Sequence, residues 1–87
     1  MNSIKSEILK HLCYTILVYF RINKELKTNL SKSEIEIFIK KVLEDTCLDK
    51  IEKIGKNFYV SNELNNIKIT VNSNTFRVIT VDRILKY

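Results

Sequence analysis

The sequence of 87 residues predicts an α+β fold, in which two N-terminal helices pack on one face of a three- to four-stranded antiparallel meander. Apolar residues recur at helical spacing between about residues 3 and 47, whereas β-branched and aromatic residues dominate from about 50 to 85. Helices followed by strands are typical of α+β proteins, because antiparallel neighbours need only tight turns. Pro is absent and Gly occurs once, so we expect one domain spanning residues 1–87 without a linker.

The first predicted helix begins near Ser3, which is a suitable N-cap residue. It contains the most apolar run of the chain, HLCYTILVYF, at residues 11–20. This run is shorter than the roughly 20 residues that a membrane-spanning helix needs, so we expect no membrane partner. Its apolar stripe is wide enough for two packed sides. We therefore also consider a homodimer formed through this helix, with Tyr14, Val18 and Tyr19 exposed together.

The second predicted helix is SKSEIEIFIKKVLED, at residues 31–45. Either Ser31 or Ser33 can cap it, and Glu34 falls in the first turn, where the helix dipole favours an acidic side chain. The polar segment before it, residues 21–30, is interpreted as a short helix or an irregular link.

The sequence indicates no catalytic residues, no metal and no cofactor. Cys13 and Cys47 fall in predicted helices, and we expect them to be reduced, buried thiols of a cytoplasmic protein. The single histidine, His11, lies within the apolar helix, where a structural role is the more common one. The chain has neither a CxxC pair nor a phosphate-binding or hydrolase motif. A non-enzymatic protein is therefore favoured.

Four segments are predicted as strands or parts of strands: KIEKIG, KNFYVSN, NIKITVN and TFRVITVDRI. Gly55 is expected in a turn between the first two of them. A two-residue hairpin loop at Ser73 and Asn74 would join the last two and would pair Thr70 with Arg77. Because side chains alternate between faces, this register places Thr70 and Arg77 on the exposed face of the sheet.

The same alternation directs Phe58, Val60 and Val71 towards the core, and places Ile79 and Val81 on the exposed face. We expect the end of that face near Ile79 to be covered by the C-terminal tail or by a partner. The candidate binding residues are the polar and basic side chains on or beside the face, namely Lys56, Asn57, Tyr59, Lys68, Thr70, Arg77 and Arg83.

A formal net charge of +5 favours acidic partners. The abundance of Lys, Ile and Asn is, however, also what an AT-rich genome produces. The candidate binding side chains suit nucleic-acid contact, because cations bind phosphates and an aromatic ring can stack on bases. We therefore expect a small basic binding protein that engages nucleic acid or a nucleic-acid-processing complex through the exposed sheet face. A phage or mobile-element inhibitor of a host defence nuclease, of the anti-CRISPR type, is one such role.

Three alternatives remain open. The polar residues can simply form a solvated sheet face that has no ligand. Lys68, Arg77 and Tyr59 can instead cleave RNA, as in a ribonuclease-like toxin. The protein can also be a protein–protein module that dimerises or docks through its first helix.

Four segments resemble the domain-of-unknown-function family 3781 of small bacterial proteins: NL at 29–30, GKNFYV at 55–60, ITVN at 69–72 and FRVITVDRI at 76–84. The resemblance implies no settled activity. The order of a helix followed by a meander is also similar to ribonuclease toxins of the barnase, colicin and RelE type, an analogy of fold alone.

The sequence differs from this family pattern at two places. Glu25 stands where the family tends to have a basic residue, and Asp82 stands where it tends to have a histidine. If the family has an active site, these differences favour a non-enzymatic member.

Overall fold

A computed structural model describes residues 4–84 and has three helices followed by a four-stranded antiparallel sheet. The predicted α+β class, with helices N-terminal to a meander, is confirmed. The predicted N-cap Ser3 lies outside the described residues. The elements are α1 (Ile4–His11), α2 (Ile16–Leu26), α3 (Lys32–Asp45), a short 3-10 helix (Leu48–Lys50), β1 (Ile51–Ile54), β2 (Asn57–Asn62), β3 (Ile67–Asn72) and β4 (Val78–Arg83).

The first predicted helix is divided into α1 and α2, so the prediction of two helices was wrong in number. Between them, Cys13 forms an isolated parallel β-bridge with Arg77. The backbone N–H of Cys13 donates to the Phe76 carbonyl, and the N–H of Val78 donates to the Cys13 carbonyl, each at 2.9 Å. The chain therefore exchanges helical hydrogen bonds for sheet hydrogen bonds at this point. The helix restarts with Thr15 as its N-cap.

Both later helices have well-defined ends. Helix α2 continues through Leu26, so most of the segment interpreted as a link is helical. It stops at Lys27, which adopts the left-handed conformation with φ 55° and ψ 47°. Helix α3 begins with a capping box between Ser31 and Glu34, as the sequence predicted for one of its two candidate caps.

The sheet is a meander in which every strand pairs with its neighbour in the chain. The expected turn at Gly55 is present, and this glycine has a φ of 61°. Ile54 pairs with Asn57, so Gly55 and Lys56 are the two residues of the loop.

The predicted register of the last hairpin was wrong. Thr70 pairs with Thr80 rather than with Arg77, and Val71 pairs with Val78, so that Ile79 is an extra residue at a bulge. Val81 is consequently buried towards the helices rather than placed on the exposed face.

The loop between β3 and β4 is longer than predicted because Asn72 organises it. The Asn72 side chain accepts hydrogen bonds from the backbone of Asn74 and Thr75, at 2.8 and 3.0 Å. Phe76 closes the loop with a φ of 59°, and its N–H donates to the Asn72 carbonyl at 2.9 Å.

The hydrophobic core lies between the helices and one face of the sheet. Phe58, Val60 and Val71 point into it, as predicted. The buried apolar side chains are Ile8, Val18, Ile22, Leu26, Ile35, Ile39, Val42, Leu43, Phe58, Val60, Ile67, Ile69, Val71, Val78 and Val81.

One polar network is buried beside the core. Asn62 and Thr46 are only 3% and 2% exposed. The Asn62 amide donates to the Val42 carbonyl and to the Thr46 hydroxyl, at 3.1 and 3.0 Å, which ties the end of α3 to β2. Such a group is tolerated in a core because its hydrogen bonds are satisfied.

Both cysteines are exposed free thiols, so the expectation of buried thiols was wrong. Cys13 lies in the break between α1 and α2, and Cys47 lies between α3 and the 3-10 helix. Both positions are outside α-helix, which is why helical periodicity did not predict their exposure.

Candidate nucleic-acid interface

Among residues 4–84, no segment covers the face of the sheet opposite the helices, and this face is predominantly polar. The end of the C-terminal tail, which was expected to cover part of it, lies outside the described residues. The residues of this face alternate along each strand with the buried ones. We call it the outer sheet face and define it as Glu52, Ile54, Asn57, Tyr59, Ser61, Lys68, Thr70, Asn72, Thr80 and Asp82.

Tyr59 and Lys68 lie next to each other on the two central strands. The Lys68 ammonium is 5.2 Å from the centroid of the Tyr59 ring, a distance at which a cation and an aromatic face attract each other. The amide of Asn57 donates to the Tyr59 hydroxyl over 3.4 Å. A cation and a half-buried aromatic ring are thus held side by side on an open surface.

Thr70 is on the outer sheet face, as predicted, but it is only 6% exposed. It pairs directly with Tyr59 on one side and with Thr80 on the other. Cross-strand neighbours at this spacing pack against each other. Thr70 therefore supports the centre of the face and presents little surface to a ligand.

An open depression of about 330 Å³ lies around Tyr59 and Lys68. Ile54, Ser61 and Glu52 complete its lining. The sequence interpretation missed Glu52 as a site residue, although the signal was present. A two-residue loop at Gly55 and Lys56 pairs Ile54 with Asn57 and therefore Glu52 with Tyr59.

The outer sheet face carries mixed charge. Lys68 is its single cation, and Asp82 lies directly opposite Lys68 on β4. Glu52 adds a second carboxylate at the other side of Tyr59. The two carboxylates thus offset the charge of the one cation on this face.

Lys56 is exposed in the loop between β1 and β2. Its carbonyl accepts hydrogen bonds from the Ser73 N–H at 2.8 Å and from the Ser73 hydroxyl at 2.9 Å. The two hairpin loops at this end of the sheet are thereby joined. Lys56 stands at the edge of the outer sheet face beside Asn57 and extends the polar surface by one cation.

Arg77 does not belong to this surface. It precedes β4 and forms the bridge with Cys13, and it lines a depression together with Leu17, Arg21 and Ile79. The prediction that Arg77 shares a face with Lys68 depended on the shorter loop and was wrong.

Arg83 also lies elsewhere. It pairs with Ile67, a buried residue, and its guanidinium donates to the Leu26 carbonyl at 2.7 Å. A cation at the last turn of a helix satisfies an unpaired carbonyl and interacts favourably with the helix dipole. The geometry gives Arg83 a role in holding α2 against β4.

The side chains expected at a dimer interface are mostly engaged within the chain. Val18 is buried, and Tyr14 stacks on Tyr19 with ring centroids 5.5 Å apart. The Tyr19 hydroxyl donates to the Glu36 carboxylate at 2.6 Å. Burial, together with this hydrogen bond, raises the pKa of Tyr19 to about 12, so the hydroxyl is a neutral donor at physiological pH.

The described residues contain no group of three His, Cys, Asp or Glu side chains that could hold a metal ion. His11 ends α1, with its ring 5.3 Å from that of Phe76 and its Nε2 atom 3.5 Å from the Glu7 carboxylate. Within residues 4–84, every helix is too short or too polar to cross a bilayer.

Comparison with known proteins identifies a family but no activity. Neither the curated proteins nor the solved structures contain a detectable match to this chain. The model of a family described as "Protein of unknown function (DUF3781)" matches residues 6–82, which include all four strands except Arg83 and nearly all of the helical part. The chain therefore belongs to the DUF3781 family.

Proposed function

We propose that this protein is a non-enzymatic binding protein that holds single-stranded nucleic acid on its outer sheet face. The observation that carries the proposal is the placement of the Lys68 ammonium 5.2 Å from the Tyr59 ring, on the two central strands and on the face of the sheet that the described helices leave free. Tyr59 provides a stacking surface for a base, and Lys68 provides a contact for the adjoining phosphate.

The neighbouring groups suit the same ligand. Asn57 and Ser61 flank Tyr59 on β2 and are partly exposed, so their amide and hydroxyl can hydrogen-bond base edges. Ile54 is 58% exposed at the rim of the depression and offers apolar contact to a base or a sugar. Lys56, at the end of the face, supplies a second phosphate contact.

The charge of the surface favours a single strand over a duplex. Duplex binding depends on several cations that each neutralise a phosphate. The outer sheet face has one cation and two carboxylates, Glu52 and Asp82. Stacking on Tyr59 depends less on charge, because every base has an aromatic face. Single-stranded RNA, whose unpaired bases are accessible, is the preferred ligand in this proposal.

The cellular role that we propose is action in the cytoplasm on a nucleoprotein complex. A small protein that occupies the single-stranded RNA of such a complex would block its activity without catalysis. Inhibition of a host defence nuclease by a phage or mobile element, as in the anti-CRISPR type, is one form of this role. The two free thiols support a reducing compartment.

The experiment is a fluorescence-anisotropy titration of a short labelled single-stranded RNA at low and at moderate salt. We expect binding that weakens with salt. Tyr59→Leu should weaken it by about 1–3 kcal/mol, the usual contribution of one stacked base, while Lys40→Gln on the exposed surface of α3 should leave it unchanged. Absence of binding at low salt, or equal binding by wild type and Tyr59→Leu, would refute the proposal.

A second candidate, a ribonuclease, is favoured by one observation: Glu52 lines the depression with Tyr59 and Lys68. The Glu52 carboxylate would take the proton of a ribose 2′-hydroxyl as that oxygen bonds to phosphorus, and Lys68 would stabilise the charged phosphate. The bond from phosphorus to the 5′-oxygen would break as the Tyr59 hydroxyl gives that oxygen a proton, which leaves a 2′,3′-cyclic phosphate. Gel analysis of the titrated RNA tests this reading. Cleavage that is lost in Glu52→Gln would replace the binding proposal, and intact RNA would exclude this cleavage.

A further inference from the structure

Helix α2 exposes three large apolar side chains beside each other. Ile16, Leu17 and Phe20 are 65%, 76% and 69% exposed, although the opposite side of the helix is buried in the core. Single exposed apolar residues are common, but adjacent ones that form a patch usually mark a contact surface.

Cations border this patch. Arg21 follows Leu17 by four residues, and Lys24 follows Phe20 by four, so each lies one turn further along the same side of α2. Arg77 approaches from the chain segment before β4 and shares with Leu17 and Arg21 a depression of about 310 Å³. We call the set Ile16, Leu17, Phe20, Arg21, Lys24 and Arg77 the α2 ridge.

Two depressions lie along the α2 ridge beside β4, on either side of Arg21, whose guanidinium donates to the Ile79 carbonyl at 3.4 Å. One depression is lined by Leu17, Arg77 and Ile79. The other is lined by Phe20, Lys24, Glu25 and Thr80. Glu25 is the single acidic side chain among the residues that line the two depressions. An apolar floor with basic borders is the surface that an acidic amphipathic segment complements.

Charge complementarity favours one kind of partner for the α2 ridge over a second copy of the chain or nucleic acid. A two-fold dimer through this surface would bring Arg21, Lys24 and Arg77 of one copy against the same cations of the other. Like charges brought together in a contact are unfavourable. Nucleic acid would satisfy the cations, but it would cover three adjacent apolar side chains less favourably than the apolar side of a helix would.

We propose that the α2 ridge binds an acidic amphipathic helix of a partner protein. The apolar side chains of that helix contact Leu17 and Phe20, and its carboxylates pair with Arg21, Lys24 and Arg77. A helix that lies along two successive depressions can place an apolar side chain against Leu17 in one and against Phe20 in the other. The α2 ridge and the outer sheet face meet at Thr80, but the depressions of the α2 ridge share no lining residue with the depression around Tyr59 and Lys68.

The test is a selection from a displayed library of randomised helical peptides, with the purified protein as bait. We expect the selected sequences to carry apolar residues at helical spacing flanked by Asp and Glu. Peptides that bind wild type should bind Arg21→Glu at least about tenfold more weakly, since a charge-assisted contact becomes a repulsion. Phe20→Ser should weaken them as well.

Lys68→Glu is the matched control, because it reverses one charge on the outer sheet face and should leave peptide affinity unchanged. All three substituted positions are at the surface, and circular dichroism verifies the fold of each variant. No selected peptide, selected peptides without acidic residues, or affinity that is insensitive to Arg21→Glu would overturn the proposal.

Two further measurements identify the competing occupants. A dimer in sedimentation that is lost in Phe20→Ser would show that a second copy covers the ridge. Co-sedimentation with anionic phosphatidylserine vesicles that is lost in Arg21→Glu would show a membrane surface instead. Either result would overturn the proposal, and neither would affect the RNA-binding test at Tyr59.

Discussion

Cys13 is joined to Arg77 by a parallel β-bridge whose two backbone hydrogen bonds, one to Phe76 and one from Val78, are each 2.9 Å long. Through this bridge, the backbone between α1 and α2 is hydrogen-bonded to the chain at the start of β4. The bridge separates α1 from α2 and sets where α2 begins. The position of the α2 ridge relative to β4 therefore depends on a backbone interaction, whereas the Cys13 thiol donates only a local hydrogen bond to the His11 carbonyl, at 3.3 Å.

The first prediction concerns this bridge. Cys13→Pro removes the N–H that bonds the Phe76 carbonyl, and we expect the free energy of unfolding to fall by about 1–3 kcal/mol, because a partly buried acceptor loses its donor. Cys13→Ala keeps the N–H and should change stability by less than about 0.5 kcal/mol. Urea denaturation measures both. Equal effects of the two substitutions would contradict a backbone role.

The second prediction concerns the end of α2. Lys27 has a left-handed backbone conformation, which costs a residue with a Cβ atom free energy that glycine does not lose. Lys27→Gly should raise the free energy of unfolding by about 1 kcal/mol. Lys27→Ala is the control for loss of the side chain and should produce no such gain. A destabilised Lys27→Gly variant would contradict the prediction.

The third prediction concerns the buried network at the end of α3. Asn62→Ala removes the donors to Val42 and Thr46 and the acceptor used by the Asn65 backbone at 2.9 Å. We expect a loss of about 1–3 kcal/mol in the free energy of unfolding. Asn29→Ala, at an exposed position before α3, serves as the matched control and should have little effect. Equal stabilities of these two variants would be inconsistent with the network.

The fourth prediction is a pH dependence at the start of α3. The Ser31 backbone N–H donates to the Glu34 carboxylate at 2.8 Å, and this bond, with a second from the Ser31 cap, lowers the pKa of Glu34 below its ordinary value of 4.5. The carboxylate therefore stabilises the folded protein above pH 4.5, and this contribution is lost as the pH falls through the lowered pKa.

Thermal unfolding of wild type and Glu34→Gln across this range measures the effect. Wild type should be the more stable at neutral pH, and the difference in Tm should shrink below pH 4.5. A difference that stays constant or grows as the pH falls would show that the charge of Glu34 does not contribute through the capping box.

The fifth prediction separates the two proposed surfaces by salt dependence. If Lys68 contacts an RNA phosphate, Lys68→Gln should reduce the slope of log K against log salt by about 1. Arg77→Gln removes a cation of the α2 ridge and should leave the slope unchanged. A slope that falls in Arg77→Gln and not in Lys68→Gln would place the RNA site on the α2 ridge instead of the outer sheet face.

The sequence predicts the α+β class and most of β2 and β3 correctly, because their periodicity reflects which side is buried. The alternation of Phe58 and Val60 with Asn57 and Tyr59 is enough to assign faces, and the structure confirms it. Gly55 similarly predicts a tight turn, because glycine readily adopts its φ of 61°.

The last hairpin could not be predicted in the same way. Its register depends on a left-handed Phe76, a conformation that a bulky residue rarely adopts, and on a bulge at Ile79. Neither has a signature in composition or spacing. Because the register shifts, Arg77 moves from the expected site beside Lys68 to the α2 ridge.

The break between α1 and α2 could not be predicted from the sequence either. HLCYTILVYF contains neither Pro nor Gly, and its apolar spacing is compatible with one continuous helix. The break arises from the pairing of Cys13 with Arg77, which lies far away in the chain. Local sequence patterns do not reveal an interaction between residues so far apart in the chain.

The contact between Arg83 and the Leu26 carbonyl spans 57 positions of the chain, whereas each hairpin of the meander joins immediate neighbours. The entropy lost in closing a loop grows with its length, so we expect the hairpins to form early and α2 to dock on β4 late. During synthesis, α2 also leaves the ribosome well before β4 exists. The apolar side of α2, which includes Val18 and Ile22, can pack against β4 only after that strand has been synthesised. We therefore expect α2, although it is synthesised before the strands, to complete its packing last.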